Sequence, residues 1–398
     1  LVQKQITPIA IVASSLVNAT GCGKQATIAS LKNGLTGLRS ISFPGLNFNT
    51  WLGTVDAIDM VELESSLQQF NCRNNKLAKL ALDSDNFREA VNNVIHKYGS
   101  NRVGVFMGTS TSGKAETEDA YMHRDKNSGK LPTSFDMLHT HNIGSVQSYV
   151  QHSLGLDGAG MTISTACTSS AKVFATASRY LETGICDAAV VGGVDSLCLT
   201  TLYGFNSLQL VSSDPCCPWD IDRKGINIGE AAGFLLLEKS SGPNVGIKLK
   251  GYGESSDAFH ISAPHPEGKG AISAMISALN RSGLDAADIG YVNLHGTATP
   301  ANDSAEAQAI YSIFPGGVLC SSTKGITGHT LGAAGITEAI ISCLVLEQSV
   351  LPGNVNLRKP DPELPVEVLQ STINRSVNHV MSNSFGFGGS NCSLVFGW

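Results

Sequence analysis

The sequence predicts an α/β protein, and three observations carry that prediction. Short apolar runs of strand length alternate with helical patterns along the whole chain. Runs such as Val103–Met107, Gly233–Leu237 and the AAVVGGV core of Asp187–Val194 lack a polar face, which marks strands of largely buried sheets. Glycine, at 42 of 398 residues, clusters near the ends of such runs, in tight turns and close backbone approaches rather than flexible linkers.

Composition narrows the function. At 398 residues the chain is long enough for two core-sized units or one large α/β body. A net charge of −6 argues against a broad nucleic-acid or anionic-membrane surface. The ten cysteines are spread along the chain without a CxxC, and the vicinal Cys216–Cys217 pair lacks nearby histidines for a zinc site. Reduced thiols in a cytoplasmic protein are the expectation. The early run Ile6–Val17 is short and contains Pro8, so it reads as a buried first strand rather than a targeting segment. No run of eighteen apolar residues exists, so no membrane span is expected.

In chain order, Gln25–Asn33 reads as a helix ending at Gly34, and Ile41–Asp59 as irregular. Leu77–Tyr98 carries helical periodicity broken near Leu82–Asn86, and Val103–Met107 is a strand running into GTSTSG. Lys114–Asn142 reads as polar loop. Its His139 and His141 have no third ligand at a diagnostic spacing, so metal: none is the expectation there. Gly160–Gly184 reads as strand, sharp turn and amphipathic helix, with Ala171, Phe174, Ala175, Ser178 and Leu181 on one face. Cys167 sits at the start of that helix, where unpaired N–H groups and the helix dipole favour an anion; its thiol is expected to ionise more readily than a free one. Asp187–Val194 is an interior strand, Gly204–Arg223 is loop-like, and Ser240–Pro243 is the best internal seam. Beyond it, strands lead into HGTATPANDSAEA, STKGITGHTLGAAG and NSFGFGGSN.

Four places therefore share one design, an apolar run ending in a loop of small residues that carries a reactive or donor group. They are Cys167, His295, the pair Lys324 and His329, and the glycine loop around Phe387. Ligands in α/β folds collect where strands end, so four such loops can meet at one site. Neither a dinucleotide fingerprint nor a GxxxxGK[ST] phosphate loop is present.

The combination of TACTSS, HGTATPANDSAEA, STKGITGHTLGAAG and SNSFGFGGSN, in that order, resembles the β-ketoacyl-acyl carrier protein synthases, the elongating condensing enzymes of fatty-acid and polyketide assembly. The resemblance extends over nearly the whole chain, including PWDIDRKGINIGEAAG. It implies the thiolase fold: two similar α/β halves, here 1–243 and 244–398, forming a five-layered α-β-α-β-α body. It implies Cys167 as nucleophile, His295 and His329 acting on the malonyl thioester, and Lys324 with Glu338 organising the histidines. It also implies an oxyanion hole from the backbone N–H groups of Cys167 and Phe387, and Phe385, Phe387 and Thr111 shaping the acyl pocket. Chemically, a polarizable thiolate suits a thioester relay, and two imidazole N–H groups suit a developing enolate without a metal.

Within the superfamily, a thiolase would need a second reactive cysteine in GFGGSN, and a non-catalytic chain-length factor would lack Cys167; elongation is favoured. Lys224 stands where the family often has an acidic residue. The loop Thr109–Ser112, which in relatives touches the partner's acyl pocket, and the HRDK segment point to a specialised branch such as an aryl polyene or other type II polyketide ketosynthase. The resemblance implies no bound cofactor, since substrates ride on the phosphopantetheine of acyl carrier protein. It also implies a homodimer, or a heterodimer with a chain-length factor. Arg73, Lys76 and Lys79, three apart on one helical stripe, are the candidate contacts for the acidic carrier.

Overall fold

Both halves of the chain fold alike, a repetition that the residue pattern does not reveal. The computed structural model describes residues 4–239 and 246–398, so the expected seam at 240–243 and the boundary between 243 and 244 lie outside the described residues. The first half supplies β1 (Ile9–Asn18), β2 (Val103–Gly108), β3 (Gly160–Ile163), β4 (Ala188–Asp195) and β5 (Ala231–Lys239). They lie in the order β3-β2-β4-β5-β1. The second half supplies β6 (Lys248–Ser256), β7 (Tyr291–Asn293), β8 (Cys320–Ser321), β9 (His379–Gly386) and β10 (Ser390–Gly397), in the order β8-β7-β9-β10-β6. Each half thus has three mutually parallel strands followed by two antiparallel ones, with the same chain order. The two sheets join where Ile9 and Ala10 of β1 pair with Leu249 and Lys248 of β6.

Parallel neighbours need crossover connections, and helices on the sheet faces supply them. On the outer face of the first sheet lie α1 (Arg73–Leu82), α2 (Phe87–Tyr98) and α3 (Ser145–Leu154), packed over a core that includes Leu77, Val91, Tyr149 and Phe234. Between the sheets lies α4 (Ser169–Glu182). On the outer face of the second sheet lie α5 (Lys269–Ser282) and α6 (Pro300–Ile313), over Met275, Ile310 and Val395. Beside α4 in the middle layer runs α7 (Ala334–Gln348), and both contact strands of both sheets. The layers are therefore helix, sheet, helix, sheet, helix, as expected.

The middle layer is apolar because it faces a sheet on each side. Ala334–Leu346 of α7 are all buried, and so are all five residues assigned to the buried face of α4. Among the described residues only Leu331–Gln348 is long and apolar enough to cross a membrane, and it is packed inside this layer. Two glycines set how closely the layer approaches its neighbours. A Cβ at Gly108 would stand 2.4 Å from Ser170 N, and one at Gly335 would stand 2.4 Å from Ala171 N. The first turns of α4 and α7 thus meet each other and the end of β2, which draws the loops before both helices together.

Two helices lie where the sequence pattern indicated loops. Lys114–Met122 falls inside the segment read as polar loop, and Leu199–Ser207 overlaps the loop-like Gly204–Arg223. The first buries only Thr117 and Ala120 and the second only Leu202, so neither presents the apolar stripe on which periodicity depends.

Candidate active site

All four predicted loops converge at one end of the middle layer. Cys167 follows β3 and precedes the Thr168 cap of α4. The small hydroxyl residues around it tie the turn: Ser169 Oγ donates to Ala166 O at 2.6 Å, and Thr168 Oγ1 donates to Thr165 O at 2.7 Å. Ala166 takes the left-handed conformation, φ 53°, and turns Cys167 into the cleft.

The expectation of an easily ionised thiol is corrected here. Burial pushes the Cys167 thiol up to about 11, although the positive charge of Lys324 and the Phe387 N–H both favour the thiolate. Desolvation outweighs the helix-start effect because the side chain is almost fully enclosed.

His295 lies just beyond β7 and is fully enclosed. Its backbone N–H and that of Gly296 donate to the two carboxylate oxygens of Glu306 on α6, each at 2.8 Å. Glu306 was within the quoted motif but had no role assigned from sequence. Its carboxyl is pushed up to about 7 by burial, against the two N–H donors.

Lys324 Nζ lies 3.3 Å from His295 Nδ1 and also donates to His295 O and to Glu338 Oε1. An ammonium has donors only, so Nδ1 must accept and the proton of a neutral His295 sits on Nε2. At His329 a backbone N–H takes the same part: Leu331 N donates to Nδ1 at 3.0 Å. Both imidazoles are held well below their ordinary range, by burial first and then by the charge of Lys324. Two neutral rings with Nε2–H donors thus face the cleft, their centroids 5.4 Å apart and their planes at 89°. The ligating atoms of Cys167, His295 and His329 lie within 4.8 Å of one another. Such a set could ligate a soft metal only after losing its Nε2 protons; as held, it offers hydrogen-bond donors instead.

The glycine loop closes the other side. A Cβ at Gly386 would lie 3.2 Å from Cys167 N, so this loop runs directly against the Cys167 backbone. The Phe387 ring packs on Phe205 at 5.4 Å, and Phe385 meets His295 edge-on at 6.0 Å. Phe205, which lines the same cleft, lies in a stretch read as loop and gave no signal. The cleft holds about 630 Å³ of empty space, counting its open mouth, and Thr297, Thr299 and Asn391 add polar groups to its wall.

Other predicted residues are placed differently. Thr111 is buried with its hydroxyl on Asp195 at 2.8 Å, and it does not line this cleft. Arg73 and Lys79 do not form an open basic stripe. Arg73 turns inward to the fully buried Glu230 at 2.7 Å, while Lys79 is shared by Glu64 and Asp83 at 2.9 and 2.8 Å. Helical spacing predicts a shared face but not whether an acid stands opposite it. Lys76 forms no ion pair among the described residues. Lys224 pairs with exposed Asp214 at 3.1 Å, and the neighbouring Arg223 is buried against Asp361 at 2.6 Å.

Comparison with known proteins agrees with this geometry. Residues 78–242 match the model of the beta-ketoacyl synthase N-terminal domain, and residues 247–358 that of the C-terminal domain. A 3-oxoacyl-[acyl-carrier-protein] synthase 2 of Rhizobium meliloti (strain 1021) is 36% identical over 310 residues, 73% of each chain. One from Staphylococcus aureus is 32% identical over 363 residues, 84% of this chain and 90% of that one. A chain of the solved complex of the ketosynthase ApeO with its chain length factor ApeC, from Xenorhabdus doucetiae, superposes with a TM-score of 0.89. It is 38% identical and the match covers 98% of both chains. The duplicated halves, the converging Cys167, His295 and His329, and these matches lead to one conclusion: the chain belongs to the β-ketoacyl synthase family of thiolase-fold condensing enzymes.

Proposed function

We propose that Cys167, His295 and His329 carry out a decarboxylative Claisen condensation on substrates held by acyl carrier protein. The convergence of their reactive atoms within 4.8 Å, with Lys324 fixing the His295 tautomer, is the observation that carries this reading. In the first step Cys167 Sγ attacks an acyl thioester on phosphopantetheine. The new S–C bond forms as the old one breaks, and the carrier thiol leaves with the proton. The backbone N–H groups of Cys167 and Phe387 receive the tetrahedral oxyanion.

The malonyl thioester of a second carrier then places its carbonyl oxygen against the Nε2–H groups of His295 and His329. Cleavage of the carboxylate–carbon bond releases CO₂ and leaves its electron pair as an enolate, which those two donors stabilise. The enolate carbon attacks the Cys167 thioester, and Cys167 leaves as thiolate. The product is a 3-oxoacyl thioester two carbons longer. Lys324, balanced by Glu338, keeps His295 neutral and correctly protonated. Phe385 and Phe387 shape the way into the acyl pocket.

The finer assignments follow the same reading. The chain divides near 243/244 and works in the cytoplasm as a dimer, with an identical copy or with a chain-length factor. The 98% coverage by a chain of a ketosynthase–chain length factor complex supports the second arrangement. The hydroxyl-rich Thr109–Ser112 loop supports a specialised polyketide branch, such as aryl polyene assembly, over primary fatty-acid synthesis. Thr111 would act there through Asp195 rather than by lining the cleft. Lys76 is the remaining carrier contact on α1.

Intact mass spectrometry after incubation with a panel of acyl carrier thioesters tests this. Wild type gains an acyl mass that Cys167→Ala lacks, and the accepted acyl groups identify the branch. A wild-type chain that is never acylated would instead be a non-catalytic partner subunit.

A further inference from the structure

Asp195, at the end of β4, is fully buried and has no part in the chemistry described above, yet donors from two loops converge on it. Its Oδ1 accepts from Thr109 Oγ1 at 2.7 Å, Ser110 N at 2.9 Å, Thr111 N at 2.9 Å and Thr111 Oγ1 at 2.8 Å. Its Oδ2 accepts from Gly332 N, with Ser110 N a longer second contact at 3.1 Å.

The Gly332 contact matters because of the residue before it. Leu331 N–H is the donor that fixes His329 Nδ1 as acceptor. Leu331 itself is held at φ 54°, a left-handed conformation that a branched side chain rarely adopts. Consecutive peptide N–H groups therefore point to different anchors, one to the imidazole and one to the carboxylate. A Cβ at Gly332 would lie 2.7 Å from Asp195 Oδ2 and 2.7 Å from Ser110 Oγ, so the turn is seated hard against this anchor.

We propose that Asp195 is a positioning residue for His329: its carboxylate holds the Leu331–Gly332 turn so that the Leu331 N–H stays on Nδ1 and the proton on Nε2. The inference rests on the condensing-enzyme reading above. His329 needs that tautomer to donate to the enolate oxygen, whereas acyl transfer to Cys167 does not use it. Asp195 thus acts on one half-reaction and spares the other.

The test is Asp195→Asn. The amide oxygen can keep the contacts of Oδ1 with the Thr109–Thr111 loop, and the amide NH₂ then faces Gly332 N–H, donor against donor. Two half-reactions are measured separately. One is loading of Cys167 from octanoyl pantetheine, by intact mass, and the other is CO₂ release from malonyl pantetheine. The His329 tautomer is read from two-bond ¹H–¹⁵N spectra of histidine-labelled protein, assigned with His329→Ala.

Loading is expected to match wild type while decarboxylation falls about tenfold or more, the scale of losing a hydrogen bond to a charged group. The His329 nitrogen signals should shift from a single Nε2–H tautomer toward a mixture. An unchanged tautomer signal, an unchanged decarboxylation rate, or an equal fall in both half-reactions overturns the proposal. Should Asp195→Asn not fold, Gly332→Ala disturbs the same contact from the other side and is held to the same outcomes. A wild-type protein that neither loads nor decarboxylates overturns the condensing reading itself.

Discussion

Lys324 Nζ stands 3.3 Å from His295 Nδ1 and is simultaneously paired with Glu338, with all three side chains buried. One ammonium therefore sets the tautomer of the His295 ring and neutralises a carboxylate in the middle layer. Removing one partner of a buried pair leaves an uncompensated charge, so Lys324→Ala should cost roughly 3–5 kcal/mol of stability in urea unfolding. Replacing both partners, Lys324→Met with Glu338→Leu, should recover most of that stability but none of the decarboxylation. Recovery of activity in the double variant would contradict the role of Lys324 toward His295.

The neutral histidines make a prediction about pH. Because both are held well below the ordinary imidazole value, they stay uncharged as pH falls through that value. Their Nε2–H donors and Nδ1 acceptors persist. In the Cys167→Ala protein, where that thiol is gone, any fall in malonyl decarboxylation between about pH 8 and 6.5 should follow Glu306 and Glu338, both pushed up to about 7 by burial, and not the imidazoles. An acid limb near the free-imidazole value that persists in both Glu306→Gln and Glu338→Gln would show that His295 or His329 is not enclosed as described.

A thiol pushed up to about 11 is mostly protonated in the resting enzyme. Alkylation of Cys167 by iodoacetamide should climb about tenfold per pH unit across the range of roughly pH 8 to 10, without a plateau. Mass mapping of the labelled peptide against pH checks this. A plateau near neutrality would mean that the helix start and Lys324 outweigh burial after all.

Arg73 and Lys76 separate stability from carrier docking. Arg73→Met strands the buried carboxylate of Glu230 and should destabilise the protein by about 3–5 kcal/mol. Lys76→Ala should leave unfolding unchanged within about 0.5 kcal/mol and weaken carrier-protein binding in a salt-dependent way. Titration of both variants with carrier protein at low and high salt distinguishes them. Equal loss of binding with no loss of stability in Arg73→Met would restore that residue to the docking face.

What could be read from the sequence was whatever lies within one element or one loop. Val103–Met107 and the apolar helix Ala333–Leu346 were found because an interior strand and an enclosed helix are apolar on all sides. Two surface helices were missed because they bury one or two residues each. Cys167, His295, Lys324 and His329 were legible because each sits in a loop of small residues after an apolar run.

The sequence by itself therefore determined the α/β class, the four reactive loops and, through their order, the family. Only the tertiary structure decided what those groups are chemically. The helix start suggested an acidic thiol, and enclosure reversed it, because desolvation is set by atoms from many distant segments. The tautomers of His295 and His329 depend on Lys324 and on the Leu331 peptide, and the anchoring of that peptide depends on Asp195, more than a hundred residues away. Spacing along a chain carries no information about such contacts. They exist because two halves of like topology bring the N-termini of α4 and α7 together.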